Sequence, residues 1–512
     1  MPLSILQAAP AAARLTALAL ALTCGAGRAS AQQLEWLDQF GTEGFDDGTG
    51  IAADTSSVYV IGCVQDALPG QSAGGITDGF VRKYDSSGVQ IWTRQFSLND
   101  NHTEPFGIDL DDSGVYVAGR SVCAAGHVGG QCGGFVRKYD HNGNVVWTHV
   151  FALGDPATSM IEAWGVAAHA TGIYVAGSGF KDGNTTALVS RLDQMGNELW
   201  TETAGLPYQH PSGFLAGAVA SGIAVDASGV YVAGGLGTAD VRRFDFNGTL
   251  VDEYGAGTIV GPVVEGLAMD DSAIHVTGEL CPPACGSTVA IRKYDRNGGE
   301  LWTREVPDAL QGGDIAIDEH GVYLTGILEP EFFVFGAFVA KYDKDGDLDW
   351  IYELDTDGFE AGAGLAAHAG KLYVTGFTDG VFPGETATPL QDVFVAKLSQ
   401  PGLPHVLSDI LPERINPASK GVIPVAILTT PDFDATDVDP LSVRFGKAAA
   451  VEAHKRGHYE DVDDDGDTDL VLHFATPKTG ITCGDTEARL SGETFAGDAI
   501  EGSDTFVTVG CR

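Results

Sequence analysis

Positive charge is scarce in this sequence. Its 512 residues include 29 Lys and Arg against 70 Asp and Glu, which gives a formal net charge of -41 at pH 7. Nucleic-acid binding depends on clustered Lys and Arg that contact phosphates, so the composition argues against a nucleic-acid partner. Methionine is also rare, with 4 residues, whereas glycine, with 69, is about twice as frequent as usual. This balance argues against helical bundles and coiled coils.

Long hydrophobic runs are absent after the first 31 residues. None approaches the roughly 18 apolar residues that span a bilayer, so we expect no transmembrane segment. The amino-terminal segment contains Arg14, an apolar run from Leu15 to Leu22 and the small residues Ala29-Ser30-Ala31, a pattern typical of a signal peptide. We predict that residues 1–31 are a signal peptide and that the mature protein is secreted, periplasmic or held at the cell surface. A lipoprotein anchor at Cys24 is the alternative, but the preceding residues fit a lipobox poorly.

Cysteine is sparse, with 8 residues, and no C-x-x-C motif is present, which argues against a Cys/His metal site. In an oxidising compartment, cysteines that are close in sequence are the first candidates for disulfide bonds. We predict three such bonds and leave Cys63 unpaired. The predicted pairs are Cys123 with Cys132, Cys281 with Cys285, and Cys483 with Cys511.

Internal repetition is the strongest signal in the sequence. One element, Val-Tyr-Val-Ile-Gly at residues 58–62, recurs with small changes in seven copies. The last residue of each copy is Gly62, Gly119, Gly177, Gly234, Gly278, Gly326 and Gly376, so the copies lie 44 to 58 residues apart. A second element, Phe80 to Asp85, is followed by Gly88 and Trp92 and also recurs. Periods of this length with short strands indicate the blades of a β-propeller.

The two ends of the repeat region predict how such a ring closes. Each repeat is expected to form four strands, joined by Asp-x-x-Gly turns between the third and the fourth. The segment Leu34–Phe40 matches a fourth strand that has no preceding three, and the last repeat stops after its third strand, Val393–Leu398. An amino-terminal strand that completes the last blade would remove the exposed edges. The sequence therefore predicts an all-β, seven-bladed β-propeller over residues 32–400.

The combined pattern resembles a known family. Phe-Val-Arg-Lys-Tyr-Asp-x-x-Gly-x-x-x-Trp followed by Gly-Ile-x-x-Asp-x-x-Gly-Val-Tyr-Val-x-Gly is similar to the SBBP repeat, the seven-bladed β-propeller repeat of exported bacterial proteins. The resemblance covers roughly residues 34–398. The fourth copy departs from it with Asp252 at the Trp position, and the fifth has His275 in place of Tyr. The resemblance implies the fold and export, and it implies little about function.

After residue 400 the repeats stop and the composition changes. Residues 401–512 contain short apolar segments, among them Val422–Leu428 and Leu470–Phe474, that predict a small β-sandwich. The segments Asn416–Ile427 and Cys483–Ala488 resemble a module that is often appended to exported bacterial proteins. This resemblance implies no activity. The predicted Cys483–Cys511 bond would hold the terminal strand to the body of the module.

The clearest chemical motif lies within this carboxy-terminal module, where acidic residues alternate in an Asp-x-Asp-x-Asp-Gly loop. Calcium prefers six to eight oxygen ligands, and this spacing brings carboxylates to one side of a tight turn. The predicted calcium ligands are the carboxylates of Asp461, Asp463 and Asp465, the main-chain carbonyl of Asp467, and Asp469 directly or through water. A helix-flanked EF-hand is excluded because position twelve is Leu472 and a strand follows. A solvated acidic turn is the alternative.

Three further motifs are weaker. Acidic residues alternate from Asp343 to Asp349, but they fall where every repeat has its turn, so a repeat turn is the better interpretation. His454 and His458 could offer two metal ligands, yet no helix is predicted that would align them. The segment Gly70–Gly74 satisfies G-x-S-x-G but lacks the strand-turn-helix context of a nucleophile elbow.

These observations favour a secreted binding or surface-interaction protein, a monomer that engages protein or glycan at one loop face of the propeller. No catalytic residue is predicted. The alternative is a lyase or a quinone-type oxidoreductase with its site at the central channel, because residues from several blades can converge there without leaving a sequence motif. Three or more titratable side chains that converge at one channel mouth would favour the enzyme.

Overall fold

The computed structural model describes residues 33–98, 101–122, 133–151, 159–181, 184–203, 220–234, 240–255, 263–280, 288–318, 320–331, 334–368, 370–399, 406, 408–411, 414–430, 433–463, 465–495 and 499–511. Two compact units, Gln32–Gln400 and Pro401–Arg512, contain these residues. The predicted signal peptide and the predicted disulfide cysteines Cys123, Cys132, Cys281 and Cys285 lie outside the described residues.

Within its described residues, the first unit contains seven four-stranded antiparallel sheets in sequence order. The first strand, β1 (Gln33–Phe40), belongs to the last sheet. Sheets 1 to 3 are formed by β2 (Asp47–Ala53), β3 (Ser57–Val64), β4 (Asp78–Asp85) and β5 (Gln90–Phe96); by β6 (His102–Asp111), β7 (Gly114–Val122), β8 (Gly133–Tyr139) and β9 (Val145–Val150); and by β10 (Ser159–His169), β11 (Gly172–Lys181), β12 (Asn184–Leu192) and β13 (Glu198–Thr203).

Sheets 4 to 7 repeat the same order. They are formed by β14 (Ala220–Asp226), β15 (Gly229–Gly234), β16 (Val241–Phe244) and β17 (Leu250–Tyr254); by β18 (Val263–Met269), β19 (Ala273–Leu280), β20 (Thr288–Asp295) and β21 (Glu300–Glu305); by β22 (Ala309–Asp318), β23 (Gly321–Glu331), β24 (Val334–Tyr342) and β25 (Leu348–Leu354); and by β26 (Glu360–His368), β27 (Lys371–Thr378), β28 (Asp392–Ser399) and β1.

The first strands of consecutive sheets pack against each other. Strand β2 contacts β6, β6 contacts β10, and the series continues through β14, β18 and β22 to β26, which contacts β2 again. The chain of contacts therefore returns to its start. This arrangement is an all-β β-propeller, as the repeats predict, with the first strand of every sheet on the inside of the ring.

Tryptophans on the fourth strands connect neighbouring sheets. The indole Nε1 of Trp92, in sheet 1, donates a hydrogen bond to the His141 carbonyl in the third-to-fourth-strand turn of sheet 2, at 3.2 Å. Gly143 in the same turn has φ +79°, and a Cβ there would lie 3.0 Å from the Trp92 ring. The turn therefore needs glycine both for its backbone conformation and for the space that the indole fills.

The same contact recurs around the ring. The other indole donors and their carbonyl acceptors are Trp147 with Gln194, Trp200 with Phe246, Trp302 with Lys344 and Trp36 with Ser86, at 3.1 to 3.4 Å. Sheet 4 has Asp252 at the tryptophan position, and there the ring of Tyr254 packs on Gly298 instead. Asp252 forms an ion pair with Arg243 on the adjacent strand. Tyr254 and the ion pair of Asp252 thus compensate for the missing tryptophan of the fourth repeat.

The last sheet joins the two ends of the first unit. Strand β1 pairs antiparallel with β28, from Gln33 opposite Ser399 to Phe40 opposite Val393. The Gln39 amide donates to the Asp392 carboxylate at 2.8 Å, across 353 residues of sequence. The amino-terminal strand therefore completes the last sheet, as the incomplete first and last repeats predict.

Tyrosines in the second strands fill the space between sheets. Tyr59 is fully buried, and its hydroxyl lies 3.0 Å from Nδ1 of His141, in the turn that also receives Trp92. The fifth copy has His275 at this position. Its ring is buried, and burial followed by the charge of Lys293 lowers its pKa to about 4. Neutral His275 therefore replaces tyrosine without introducing a buried charge.

The second unit contains two further four-stranded sheets within its described residues. In spatial order, one is formed by β29 (Ser408–Ile410), β31 (Val422–Ile427), β35 (Asp469–Ala475) and β34 (His458–Glu460), and the other by β33 (Ala450–Val451), β32 (Arg444–Phe445), β36 (Glu487–Glu493) and β37 (Ala499–Thr505). Strands β30 (Arg414–Ile415) and β38 (Val507–Thr508) pair in parallel, and two short 3-10 helices span Ala435–Asp437 and Thr476–Lys478. Both four-stranded sheets contribute to one buried apolar cluster that includes Val425, Leu472, Phe445 and Leu490.

Cys483 and Cys511 form a disulfide bond, with their Cα atoms 5.8 Å apart. Cys511 follows the last strand, so the bond fastens the carboxy terminus to the chain 28 residues earlier. Cys63, in β3, is a free thiol. Both observations agree with the pairing predicted from the sequence. In the part of the chain that the structure describes, no helix is long and apolar enough to cross a bilayer.

We expect the double substitution Cys483→Ser/Cys511→Ser to destabilise the second unit by about 3–4 kcal/mol, because the bond removes the freedom of a 28-residue loop from the unfolded chain. Differential scanning calorimetry measures this as a lower melting temperature of that unit. Cys63→Ser is the control and leaves the transition in place. An unchanged transition in the double variant would contradict the stabilising role of the bond.

Candidate functional site

The inner strand of each propeller sheet is interrupted by a bulge beside a glycine. The pairing register shifts at Gly48/Gly50, Pro105/Gly107, Ala163/Gly165, Ala220/Gly222, Val264/Gly266, Gly312/Ile315 and Gly362/Gly364. The extra residues at these bulges line a cavity of about 370 Å³ on the inside of the ring. They are Thr49, Phe106, Trp164, Ser221, Glu265, Gly313 with Asp314, and Ala363. A bulge changes the direction in which a side chain points, and the repeated bulge directs residues of every sheet towards the central channel.

Aromatic and hydroxyl side chains form much of this lining. The rings of Phe106 and Trp164 stack with centroids 4.3 Å apart and planes 17° apart. The hydroxyl of Thr49 donates to the Pro105 carbonyl at 2.9 Å, in the neighbouring sheet. Ser221 donates in the same way to the Val264 carbonyl, at 2.5 Å. These hydroxyl groups therefore connect adjacent inner strands, and the stacked rings give the channel an apolar surface.

The carboxyl of Asp314, also in the lining, is held by the backbone. It accepts hydrogen bonds from the amides of Ile315 at 2.8 Å and of Leu365, in the next sheet, at 3.1 Å. Burial raises its pKa to about 6 despite these two donors. The Asp109 carboxyl joins sheets 2 and 3 in the same manner, because it accepts a hydrogen bond from the Ala168 amide at 2.7 Å. Both carboxyl groups fasten neighbouring sheets together.

A charged cluster lies on the first and second strands of sheets 1 to 3, and its acidic residues stand two positions before the bulge of each inner strand. Its core is Arg120, whose Nε donates to Glu104 and whose Nη1 donates to Glu162, each at 2.6 Å. Glu162 also accepts from the Ser178 hydroxyl at 3.3 Å. The guanidinium carbon lies 5.5 Å from the centroid of Phe106, so the cluster borders the aromatic pair of the cavity. One arginine thus bridges acidic residues of two adjacent sheets.

Asp47 and Cys63 continue this cluster in sheet 1. They face each other in the pairing register, and the thiol lies 3.9 Å from the Asp47 carboxylate, which also accepts from the Gln391 amide. Burial, followed by the charges of Asp47 and Glu104, raises the pKa of the Cys63 thiol far above its usual range. Burial likewise raises the pKa of Asp47. These surroundings disfavour the thiolate of Cys63, which is the form that reacts.

Sheets 6 and 7 present a different surface at the corresponding register positions. Ile327 lies opposite Gln311 there, and Phe377 lies opposite Ala361. Phe359 connects Phe377 to Phe335, with ring centroids 5.7 and 5.3 Å apart. The ring is therefore charged in the sector of sheets 1 to 3 and apolar in the sector of sheets 6 and 7.

The acidic motif of the second unit forms the loop between β34 and β35. Asp469 begins β35 and is fully buried, and its carboxylate accepts from the amides of Thr429 and Val462, each at 2.8 Å. Asp461 accepts from the Gly466 amide at 3.1 Å, and Gly466 has φ +99°. These bonds close the loop on itself and turn its carboxylates to one side.

Four of the predicted ligand residues lie in this loop, and the fifth, Asp469, is the first residue of β35. Their carboxylate oxygens form two overlapping groups, each within 4.8 Å: Asp461, Asp463 and Asp465 in one, and Asp463, Asp467 and Asp469 in the other. The sequence predicts a main-chain contact from Asp467, whereas its carboxylate joins the second group. Its buried Oδ1 has no hydrogen-bond partner among the described residues. Desolvation and then the carboxylates of Asp465, Asp469 and Asp463 raise its pKa to about 6.

The remaining sequence motifs are not brought into these sites. Asp343 accepts from the amides of Asp345 and Asp347 at 2.9 and 2.8 Å, which is the turn that the other repeats also form. The interpretation as a repeat turn is therefore confirmed. Ser72 lies in the loop between β3 and β4, with no helix following it. The sequence does not predict the bulge residues, since each is only a variable position before a repeated glycine, and it does not predict the Arg120 cluster, which forms between different strands.

We expect Arg120→Met to lower the free energy of unfolding by about 1–3 kcal/mol, because Glu104 and Glu162 lose a charged hydrogen-bond donor in a partly buried site. The control is Arg242→Met, which breaks the 2.7 Å pair with Glu253 within sheet 4; it should cost less than Arg120→Met, because it leaves one carboxylate instead of two and the Glu253 side chain is 38% exposed. Urea denaturation measures both. An equal loss of unfolding free energy in the two variants would show that the Arg120 bridge between sheets stabilises the propeller no more than a pair within one sheet.

Comparison with known proteins identifies no family for this chain. No family model matches the chain, and no curated protein matches it. Among solved structures, the WD40 β-propeller domain of Doa1 is 12% identical and has a TM-score of 0.43, over 71% of this chain and 96% of that one. The quinohemoprotein alcohol dehydrogenase ADHIIG from Pseudomonas putida HK5 is 12% identical with a TM-score of 0.42, over 71% and 70%. At these values the likeness concerns the β-propeller fold alone.

Proposed function

We propose that this chain is an exported binding protein: a seven-bladed β-propeller of the SBBP type over residues 32–400, followed by a calcium-stabilised β-sandwich over residues 401–512. The seven four-stranded sheets and the contact of β26 with β2 support the blade count. The two sheets that share one apolar cluster support the sandwich. The amino-terminal signal pattern and the disulfide bond support export to an oxidising compartment.

The binding site in this proposal is the inside of the ring, and the ligand is a glycan. Saccharides present apolar faces edged by hydroxyl groups, which suit an aromatic surface bordered by charged hydrogen-bonding groups. The stacked pair of Phe106 and Trp164 lies beside Arg120 and its two glutamates. This adjacency of an aromatic surface and a charged cluster is the observation that carries the proposal.

An enzyme acting at the same place is the second candidate. Asp47, Glu104 and Glu162, on three adjacent inner strands, lie near one another and near Arg120 of β7, so three titratable carboxyl groups converge here. A general acid or base must be within reach of a substrate proton. Here Glu104 and Glu162 bond to Arg120, and Asp47 to Gln391 and Cys63. Because these carboxylates already have partners, binding is favoured over catalysis.

Calcium is the cation proposed for the acidic loop. Five carboxylates within one nine-residue segment supply the hard oxygen ligands that calcium prefers. The unpartnered Oδ1 of Asp467 and the raised pKa of that residue both indicate negative charge that the protein alone leaves uncompensated. Because the loop connects β34 and β35, a bound ion would stabilise the edge of the sheet.

The glycan proposal predicts that wild-type protein binds a defined class of saccharide on a glycan array and that Trp164→Ala lowers the affinity more than about tenfold, because the aromatic surface is lost. Phe495→Ala removes an exposed aromatic side chain of the second unit and leaves binding intact. Circular dichroism checks the folding of both variants. Binding that survives in Trp164→Ala, or no binding by the wild type, would contradict the proposal, and cleavage of the bound glycan would favour the enzyme.

The calcium proposal predicts a calorimetric binding signal with Ca²⁺ that Asp465→Asn weakens more than about tenfold, since a ligand carboxylate is lost. At about a hundred times the dissociation constant, Ca²⁺ should stabilise the second unit by about 2.7 kcal/mol. Asp345→Asn changes an exposed aspartate of a repeat turn with the same spacing and is the matched control. A melting profile that chelator leaves unchanged would exclude the structural role of the ion.

A further inference from the structure

Three histidines of the second unit converge at one place beside the acidic loop. One ring nitrogen from each of His454, His458 and His473 lies within 4.8 Å of the others. The ring centroids are 4.9 Å apart for His454 and His473, 5.4 Å for His458 and His473, and 6.2 Å for His454 and His458. The sequence points to His454 and His458 as two metal ligands without a helix to align them. His473 lies on a strand fifteen residues after His458.

The sheet explains why the three side chains meet. His458 begins β34 and lies opposite Val471 of β35. His473 is two residues further along β35, so its side chain points to the same face as that of Val471. The Ala453 amide donates to the His473 carbonyl at 2.7 Å, which brings His454 alongside. Two strands and the adjoining segment therefore hold the histidines in place.

The polar groups around the cluster are arranged as they would be around an ion. The buried Nδ1 of His473 has no hydrogen-bond partner in the described part of the chain. The buried carboxylate of Glu452 lies 3.8 Å from Nδ1 of His454 and accepts from the His473 amide at 3.3 Å. Carboxylates commonly lie beside the ligating imidazoles of histidine metal sites, and Glu452 lies beside the His454 ring at an ion-pair distance longer than a hydrogen bond.

We propose that His454, His458 and His473 form a binding site for a transition-metal ion of the Zn²⁺ type, separate from the acidic loop. Imidazole nitrogen suits zinc, copper and nickel, whereas calcium selects oxygen, so the two clusters of this unit select different ions. Zinc–nitrogen bonds of about 2.0–2.1 Å in a tetrahedron place the nitrogens about 3.4 Å apart. Small side-chain rotations close the remaining distance.

Three protein ligands leave the fourth position open. The His454 side chain is 46% exposed, so this position faces solvent and takes water or a donor atom from a bound molecule. The acidic loop leads directly from β34 into β35, the strands that carry His458 and His473. Occupation of the two sites is therefore expected to be mutually favourable, since each ion holds the same pair of strands in register.

The test is calorimetric titration of the full chain with Zn²⁺ in the presence of excess Ca²⁺, which fills the acidic loop. We expect one equivalent of Zn²⁺ to bind, and His473→Gln and His454→Gln each to weaken binding more than about tenfold. His454 is partly exposed, so its variant keeps the test valid even where His473→Gln disturbs folding. The matched control is His368→Gln in the propeller, which leaves the affinity unchanged.

Cobalt provides a second readout that needs no variant. Co²⁺ bound by three imidazoles in a four-coordinate site gives visible absorption bands that zinc abolishes on displacement.

Equal zinc affinity in the wild type and both histidine variants would overturn the proposal. Zinc binding that is lost in Asp465→Asn but kept in His473→Gln would place the ion in the acidic loop and would likewise overturn it.

Discussion

The contact between an indole ring and the turn of the next sheet is the interaction on which the propeller depends. Each such contact partly buries an indole ring, satisfies its N–H with a turn carbonyl and fills the space that a glycine leaves open. Full burial of an aromatic side chain is worth about 1.5–3 kcal/mol, and each partly buried indole contributes a share of that. Since the tryptophan and the glycine belong to different sheets, the repeat unit is stable only beside its neighbour.

Repetition of the framework frees other positions to vary. The residue before the bulge glycine differs from sheet to sheet: in sheets 1 to 5 it is threonine, phenylalanine, tryptophan, serine and glutamate in turn. Each position points inward because the bulge fixes its direction. A symmetrical scaffold thus carries an asymmetric surface, charged in one sector and apolar in another. Site chemistry of this kind comes from single side chains and not from a motif.

The sequence predicts the framework well and the site poorly, for physical reasons. Turn glycines, alternating strands and the tryptophans are local signals, and even the closing strand is visible because β1 matches a fourth strand that lacks its first three. The acidic loop is equally local. The pair of Arg120 with Glu104, by contrast, depends on the register of β6 and β7, and the pair of Arg120 with Glu162 forms only when sheets 2 and 3 are adjacent. His473 joins His454 and His458 only through strand register. Side chains gathered by tertiary structure leave no spacing rule in the chain.

The joining of β1 to β28 also governs the order in which the molecule can form. Sheets 1 to 6 consist of sequence neighbours, so each can assemble from a short segment of chain. The last sheet requires residues 353 apart, and closing a loop of that length costs roughly 5 kcal/mol of chain entropy. During synthesis the first strand of the ring must therefore remain unpaired until the last repeat has emerged. Ring closure is the late step of folding, and a chain halted before β28 exposes two unpaired strand edges through which it can aggregate.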